Sequence, residues 1–122
     1  MKTIIYIAIG GAIGSVLRYL TSIVVGKWST FPYGTFLANI LGCLAIGLFF
    51  GFFEKNTLLS KELKFFLITG LCGGYTTFSS FSYENVQLLQ NNQMGMAFLY
   101  TALSIMIGFL ATWIGLLIAT RF

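Results

Sequence analysis

Histidine is absent from this sequence, and only three carboxylates occur in it, Glu54, Glu62 and Glu84. Without histidine, the usual general base near neutral pH and the commonest metal ligand are both missing. Three scattered carboxylates leave little for acid–base pairs or hard-cation sites. The sequence therefore reads as that of a protein without enzymatic activity. Cysteine is nearly absent too. Cys43 and Cys72 lie inside apolar runs and form no CxxC pair, which fits buried small hydrophobes, with a disulfide as the lesser alternative. Charge as a whole is scarce, at 8% of residues against about 25% in an average soluble domain. A chain this short exposes a large surface for its volume and lacks the charged groups to cover it in water.

Hydrocarbon stands in place of charge. Of 122 residues 57% are apolar, and mean hydropathy is +0.90, so composition predicts an integral membrane protein. Residues 4–25 are interrupted by one charge, Arg18, and residues 33–53 by none. From residue 65 to 120 the only charge is Glu84, and the polar run Gln90-Asn91-Asn92-Gln93 divides that stretch. A helix needs about 20 apolar residues to cross a bilayer. Four spans are predicted, at about 4–26, 33–53, 63–89 and 95–120, forming a single all-α domain. Lys2 ahead of an apolar run resembles a signal peptide, but Arg18 within the run and the three further spans argue against one.

The links are short, which predicts antiparallel neighbours in a four-helix bundle. Both termini then share a side with Lys2, Lys55, Lys61, Lys64 and Arg121, against Lys27 opposite, and the positive-inside rule places that side in the cytoplasm. The net charge of +4 is mostly this topology signal, and no basic face for nucleic acid is left. Glycines four apart (Gly10 and Gly14, Gly47 and Gly51, Gly70 and Gly74) suit close helix packing, within one bundle or across a dimer.

Polar groups at membrane depth mark functional sites, and the third span concentrates them. Gly73-Gly74 precedes a run holding Thr76, Thr77, Ser79, Ser80 and Ser82. Paired glycines weaken a helix, so a break mid-membrane is expected, with freed carbonyls able to ligate a cation; a kinked helix with hydroxyls bonded back to i−4 carbonyls is the alternative. Phe78 and Phe81 project from neighbouring positions, either as core packing or with positive ring edges turned to an anion. Asn39 in the second span, alongside Thr35, needs a partner: another helix, or a passing anion. Tyr100, Ser104, Gly108 and Thr112 form one stripe on the fourth span, a candidate permeation wall. Arg18 either snorkels toward the interface or draws anions into a vestibule. Donor-lined surfaces without compensating carboxylate pairs suit a small anion. One bundle is thin for a pore, so a partner subunit is expected.

Three segments in register, Gly10-Gly11-Ala12-Ile13-Gly14-Ser15-Val16-Leu17-Arg18-Tyr19, Gly34-Thr35-Phe36-Leu37-Ala38-Asn39 and the run from Gly70 through Glu84, together resemble the Fluc-type (CrcB) fluoride channels. The resemblance spans essentially the whole chain. It implies a fluoride-selective channel that lets cytoplasmic fluoride escape across the bacterial inner membrane, built as an antiparallel dual-topology dimer with two pores and a central structural Na⁺. By motif position, Asn39 would donate to fluoride and Phe78 and Phe81 would turn ring edges to it. Thr35, Ser79, Ser80 and Glu84 would lie beside the pore. Tyr100, Ser104 and Thr112 would form a polar track, with Arg18 as the vestibule charge, and backbone carbonyls of Gly73 and Thr76 would hold Na⁺. Ser80 stands where the family often has Thr, which keeps the hydroxyl. The five-to-one charge bias departs from the balanced loops of a dual-topology homodimer; some family members instead pair two oppositely oriented chains. A homodimer is the expectation, with an inverted paralogous subunit as the alternative. Two other functional classes compete. A four-span proton-coupled exporter needs a carboxylate in the first span, where this chain has only Arg18. A purely structural membrane subunit would leave the polar groups without purpose.

Overall fold

A computed structural model describes residues 1–26 and 30–122. All regular structure among them is helical. In chain order it comprises α1 (Lys2–Val25), α2 (Tyr33–Lys55), α3 (Lys61–Lys64), a π-helical stretch (Phe65–Cys72), α4 (Gly73–Tyr75), α5 (Phe78–Gln90) and α6 (Met94–Arg121). Three of these, α1, α2 and α6, are long and apolar enough to cross a bilayer. At 1.5 Å rise per residue even α2, the shortest of them, reaches about 34 Å. Their ends lie within two residues of the expected spans 4–26, 33–53 and 95–120. The region expected as one span over 63–89 instead runs from Lys61 to Gln90 in consecutive pieces. Gly26, at φ 69°, closes α1, and Asn92, at φ 58°, turns the chain between α5 and α6. Lys27, the one opposing charge in the topology argument, lies outside the described residues.

Packing follows the glycines. Gly10 and Gly14 are buried against the backbone of the π-helical stretch and α4, where an added Cβ would overlap the carbonyl oxygens of Phe66 and Leu71. Gly47 of α2 meets Thr112 and Leu116 of α6, and Gly115 of α6 meets Leu44 and Leu48 in return. In both pairings the residue numbers rise together, so the close partners run parallel: α1 with residues 61–75, and α2 with α6. Neighbours joined by short links run oppositely, as α5 and α6 do where Glu84 meets Tyr100 and Leu88 joins Ala97 in a buried cluster. The closest backbone approaches are thus between alternate helices, and the Gly10/Gly14, Gly47/Gly51 and Gly70/Gly74 pairs are all used within the chain. In lipid, where apolar burial drives little association, such van der Waals contact holds helices together.

Large apolar side chains point outward in numbers no soluble surface carries. Val16, Tyr19, Phe98, Met106, Phe109 and Trp113 are all more than half exposed. That belt matches hydrocarbon, not water, and makes the chain a helical membrane protein.

Candidate functional site

Helical geometry stops at Tyr75 and resumes at Phe78. Between them Thr76 (φ −82°, ψ 154°) and Thr77 (φ −150°, ψ 120°) are extended. In an uninterrupted helix the Thr77 N–H would bind the Gly73 carbonyl, and the Ser80 N–H would bind the Thr76 carbonyl. Here the Thr77 N–H donates to Asn39 Oδ1 at 2.7 Å, and Asn39 Nδ2 donates back to the Thr77 carbonyl at 3.1 Å. The Ser80 N–H donates to Thr77 Oγ1 at 3.2 Å, an N-cap that starts α5. The side-chain amide takes over the Thr77 N–H and adds a second donor to the carbonyl that opens α5, while the carbonyls of Gly73 and Thr76 are released from their helical partners. Space comes from the same face of α2: a Cβ at Gly42, three residues after Asn39, would overlap the Thr76 methyl.

The sequence-based expectation rested the break on Gly73-Gly74, and the geometry gives a different cause. Gly73 is helical (φ −62°, ψ −38°), Gly74 lies inside α4, and among the described residues positive φ occurs only at Gly26 and Asn92. Gly74 serves close approach instead, since a Cβ there would press on the backbone of Gly11. Gly73 faces outward with room around it.

One turn before Asn39 on α2, Thr35 Oγ1 donates to Glu84 Oε1 at 2.5 Å. Tyr100 on α6 donates its hydroxyl to Glu84 Oε2 at 2.8 Å and is fully buried. The Phe81 ring lies 4.9 Å from that of Tyr100 and 5.8 Å from that of Phe78, tilted against both, and Phe31 meets Tyr100 edge-on at 5.3 Å. Phe78 itself is 78% exposed. A cavity of about 690 Å³ opens beside Thr35 and Glu84, where Tyr83, Gln87, Ser22 and Pro32 also line it.

The fold therefore brings together Thr35, Asn39, Phe81, Glu84 and Tyr100, with Ser79 and Ser80 reached through the Thr77 hydroxyl. Ser104 follows Tyr100 by one turn, and its buried hydroxyl oxygen has no hydrogen-bond partner. Thr112 is two turns further on and donates back to the Gly108 carbonyl at 3.1 Å. Arg18 is half-buried on α1. Cys43 and Cys72 are free thiols. Among the described residues no group of three His, Cys, Asp or Glu could hold a metal, so cation ligands would have to be backbone oxygens.

Three features escaped sequence reasoning. Thr77 is 7% exposed and carries the break, and its only signal was a hydroxyl three residues ahead of Ser80 at a helix start. Tyr75 and Thr21 bond hydroxyl to hydroxyl at 2.9 Å, tying α4 to α1. Asn85 on α5 receives the Thr101 hydroxyl of α6 at 3.1 Å. This pair repeats the 16-residue offset of Glu84 and Tyr100, and that offset was the available signal.

The chain matches the family model described as CrcB-like protein, Camphor Resistance (CrcB), over residues 5–116. It is 66% identical over 121 residues, 98% of each chain, to a protein of Flavobacterium psychrophilum named fluoride-specific ion channel FluC. Proteins of the same name from Azobacteroides pseudotrichonymphae and Bacteroides fragilis are 43% and 47% identical, over 100% and 94% of this chain and 99% and 94% of their own lengths.

Proposed function

The chain belongs to the CrcB-like family, and from that premise we propose that it is a fluoride-specific ion channel, letting cytoplasmic fluoride leave passively down its electrochemical gradient. It catalyses no reaction. Its relatives are bacterial, and its loop charges suit the cytoplasmic membrane of a bacterium, with the termini inside.

The observation that carries the reading is the double hydrogen bond between Asn39 and Thr77. It spends one Nδ2 hydrogen and leaves the second available, at membrane depth, next to the hydroxyls of Ser79 and Ser80. Neutral donors and ring edges can replace part of the water shell of a small anion without trapping it as a cation would. Phe81 and Phe78 supply those edges. Tyr100 and Thr35 hold the Glu84 carboxylate by its two oxygens, so the negative charge is engaged beside the path. Tyr100 and Ser104 continue the hydroxyl track along α6, and Thr112, on the same stripe two turns further on, keeps its proton on the Gly108 carbonyl. Arg18 serves as the vestibule charge that raises local anion concentration.

The functional unit is an antiparallel pair of chains with two pores. Each chain contributes four spans, the third being the interrupted segment Lys61–Gln90. The outward-facing Gly73 and exposed Phe78 support a partner on that face. The carbonyls freed at Gly73 and Thr76 fit a structural Na⁺, which takes hard oxygen ligands and needs no side chain. Bound there, Na⁺ would supply a positive charge for those carbonyls to hold. A homodimer is the simplest form, and an inverted paralogous subunit is the alternative that the charge bias raises.

Fluoride efflux from liposomes containing this chain alone tests the reading, with a fluoride electrode, valinomycin to clamp potential, and chloride as control. Fast fluoride loss without chloride loss is expected, and Phe81→Ile abolishes it. Silence from folded protein, restored by an inverted paralogue, would replace the homodimer; silence with both would overturn the channel reading.

A further inference from the structure

Among the threonines of α6, Thr112 and Thr120 donate to carbonyls of their own helix, at Gly108 and Leu116. Thr101 does not. Its hydroxyl crosses to Asn85 Oδ1 at 3.1 Å, and Asn85 Nδ2 donates to the Phe81 carbonyl at 3.0 Å. The Asn85 amide is thereby fixed in orientation, with its oxygen facing a donor and its nitrogen a carbonyl. The neighbouring pair, Glu84 with Tyr100, bonds across the same two helices at 2.8 Å. Consecutive residues on a helix point about 100° apart. A single tie holds two helices at a distance and lets each roll about its axis, whereas two ties about 100° apart stop the roll.

We infer that Asn85 and Thr101 form a rotational lock that positions Phe81, and that they set fluoride selectivity without touching the anion. This deepens the channel reading and rests on it. Phe81 sits one turn before Asn85, and the carbonyl that Asn85 grips is Phe81's own. The Phe81 ring packs 4.9 Å from Tyr100, so a small roll of α5 turns its edge away from the path. The Glu84 tie to Tyr100 is a single link between α5 and α6 and cannot hold that register alone. Asn85 and Thr101 lie on the next residues round each helix and supply the second link. They are positioning residues.

Two readouts separate this inference from the channel reading itself. The first is fluoride and chloride efflux from liposomes for wild type, Thr101→Val, Asn85→Leu, the double variant and Thr101→Ser. Each single change lowers the fluoride-to-chloride flux ratio about tenfold, the double change adds nothing further, and Thr101→Ser, which keeps the hydroxyl, restores wild-type behaviour. The second is the ¹⁹F resonance of 4-fluorophenylalanine placed at position 81, which shifts in Thr101→Val and returns in Thr101→Ser. An unmoved resonance overturns the lock, and a moved resonance with unchanged selectivity overturns its role in permeation. If wild type passes no fluoride, the channel reading and the selectivity role built on it both fall, and the resonance alone decides the lock. A role confined to stability would lower the melting temperature and leave both readouts unmoved.

Discussion

Helix α6 and the segment from Lys61 to Gln90 are close in length, cross the same bundle and carry hydroxyl residues along their interior faces, yet one is continuous over 28 residues and the other stops at Thr76 and Thr77. In α6, Thr112 and Thr120 return their hydroxyls to carbonyls four residues back, and the helix runs on. Thr76 does the same, bonding to the Cys72 carbonyl at 2.9 Å, and the helix ends there nonetheless. Glycine does not separate them either. Gly108 and Gly115 sit inside α6 as Gly73 and Gly74 sit inside α4, all within helices. What separates the two regions is a partner from outside. Asn39 on α2 offers both halves of a peptide group to Thr77, and among the described residues no side-chain amide does this for the backbone of α6. A buried peptide leaves its helix only when equivalent bonds await it.

Removing that partner is the strongest way to break the comparison. Asn39→Leu keeps the volume, leaves the Thr77 N–H unpaired and takes one of two donors from the Thr77 carbonyl. A buried orphan costs about 1–3 kcal/mol, so stability drops by about that much and fluoride efflux is lost. Amide exchange at Thr77 should rise in step. Protection retained at Thr77 would mean that the segment itself, and not Asn39, holds the extended conformation.

A smaller effect separates the two glycines. At Gly74 a Cβ meets the Gly11 backbone, so Gly74→Ala costs about 1–3 kcal/mol through overpacking. At Gly73 the nearest atom to such a Cβ is 4.0 Å away and φ is already helical. Gly73→Ala should therefore leave helix content unchanged and raise stability slightly, by about 0.5–1 kcal/mol in the isolated chain. Circular dichroism and thermal unfolding of both variants check this. Were the glycines the cause of the interruption, Gly73→Ala would heal it instead and add residues to the helix signal.

Those two positions also mark how far the sequence could be read. Apolar run length alone located α1, α2 and α6 to within two residues, because a bilayer enforces one length on every span. The polar anomaly in the third region was equally visible, as were Thr35, Asn39, Phe81, Glu84 and Tyr100, since polar atoms are costly in hydrocarbon and stand out there. What composition could not supply was pairing. Asn39 was legible as a residue in need of a partner, but only the crossing of α2 over residues 76 and 77 identifies Thr77 as that partner. Likewise glycine spacing announced close contacts without saying that they join alternate helices. Asn85 and Thr101 are ordinary polar residues until the antiparallel register of α5 and α6 sets them opposite each other.

The smallest expected effect sharpens the contrast from the α6 side. Thr112 and Thr77 are both threonines in the membrane, and each becomes valine with almost no change in shape. Thr77→Val removes the oxygen that receives the Ser80 N–H, an N-cap loss of about 1 kcal/mol. Thr112→Val removes only a bond back to Gly108 inside an intact helix, where the carbonyl keeps its backbone donor and valine gives up little propensity relative to threonine. Stability should stay within about 0.5 kcal/mol. Fluoride efflux should fall less than threefold, because the one Thr112 proton already faces a carbonyl and not the path. Urea unfolding in detergent and liposome flux measure the two side by side. A large loss of flux at unchanged stability would place the Thr112 hydroxyl among the groups that meet the anion, and would extend the track along α6 two turns beyond Ser104.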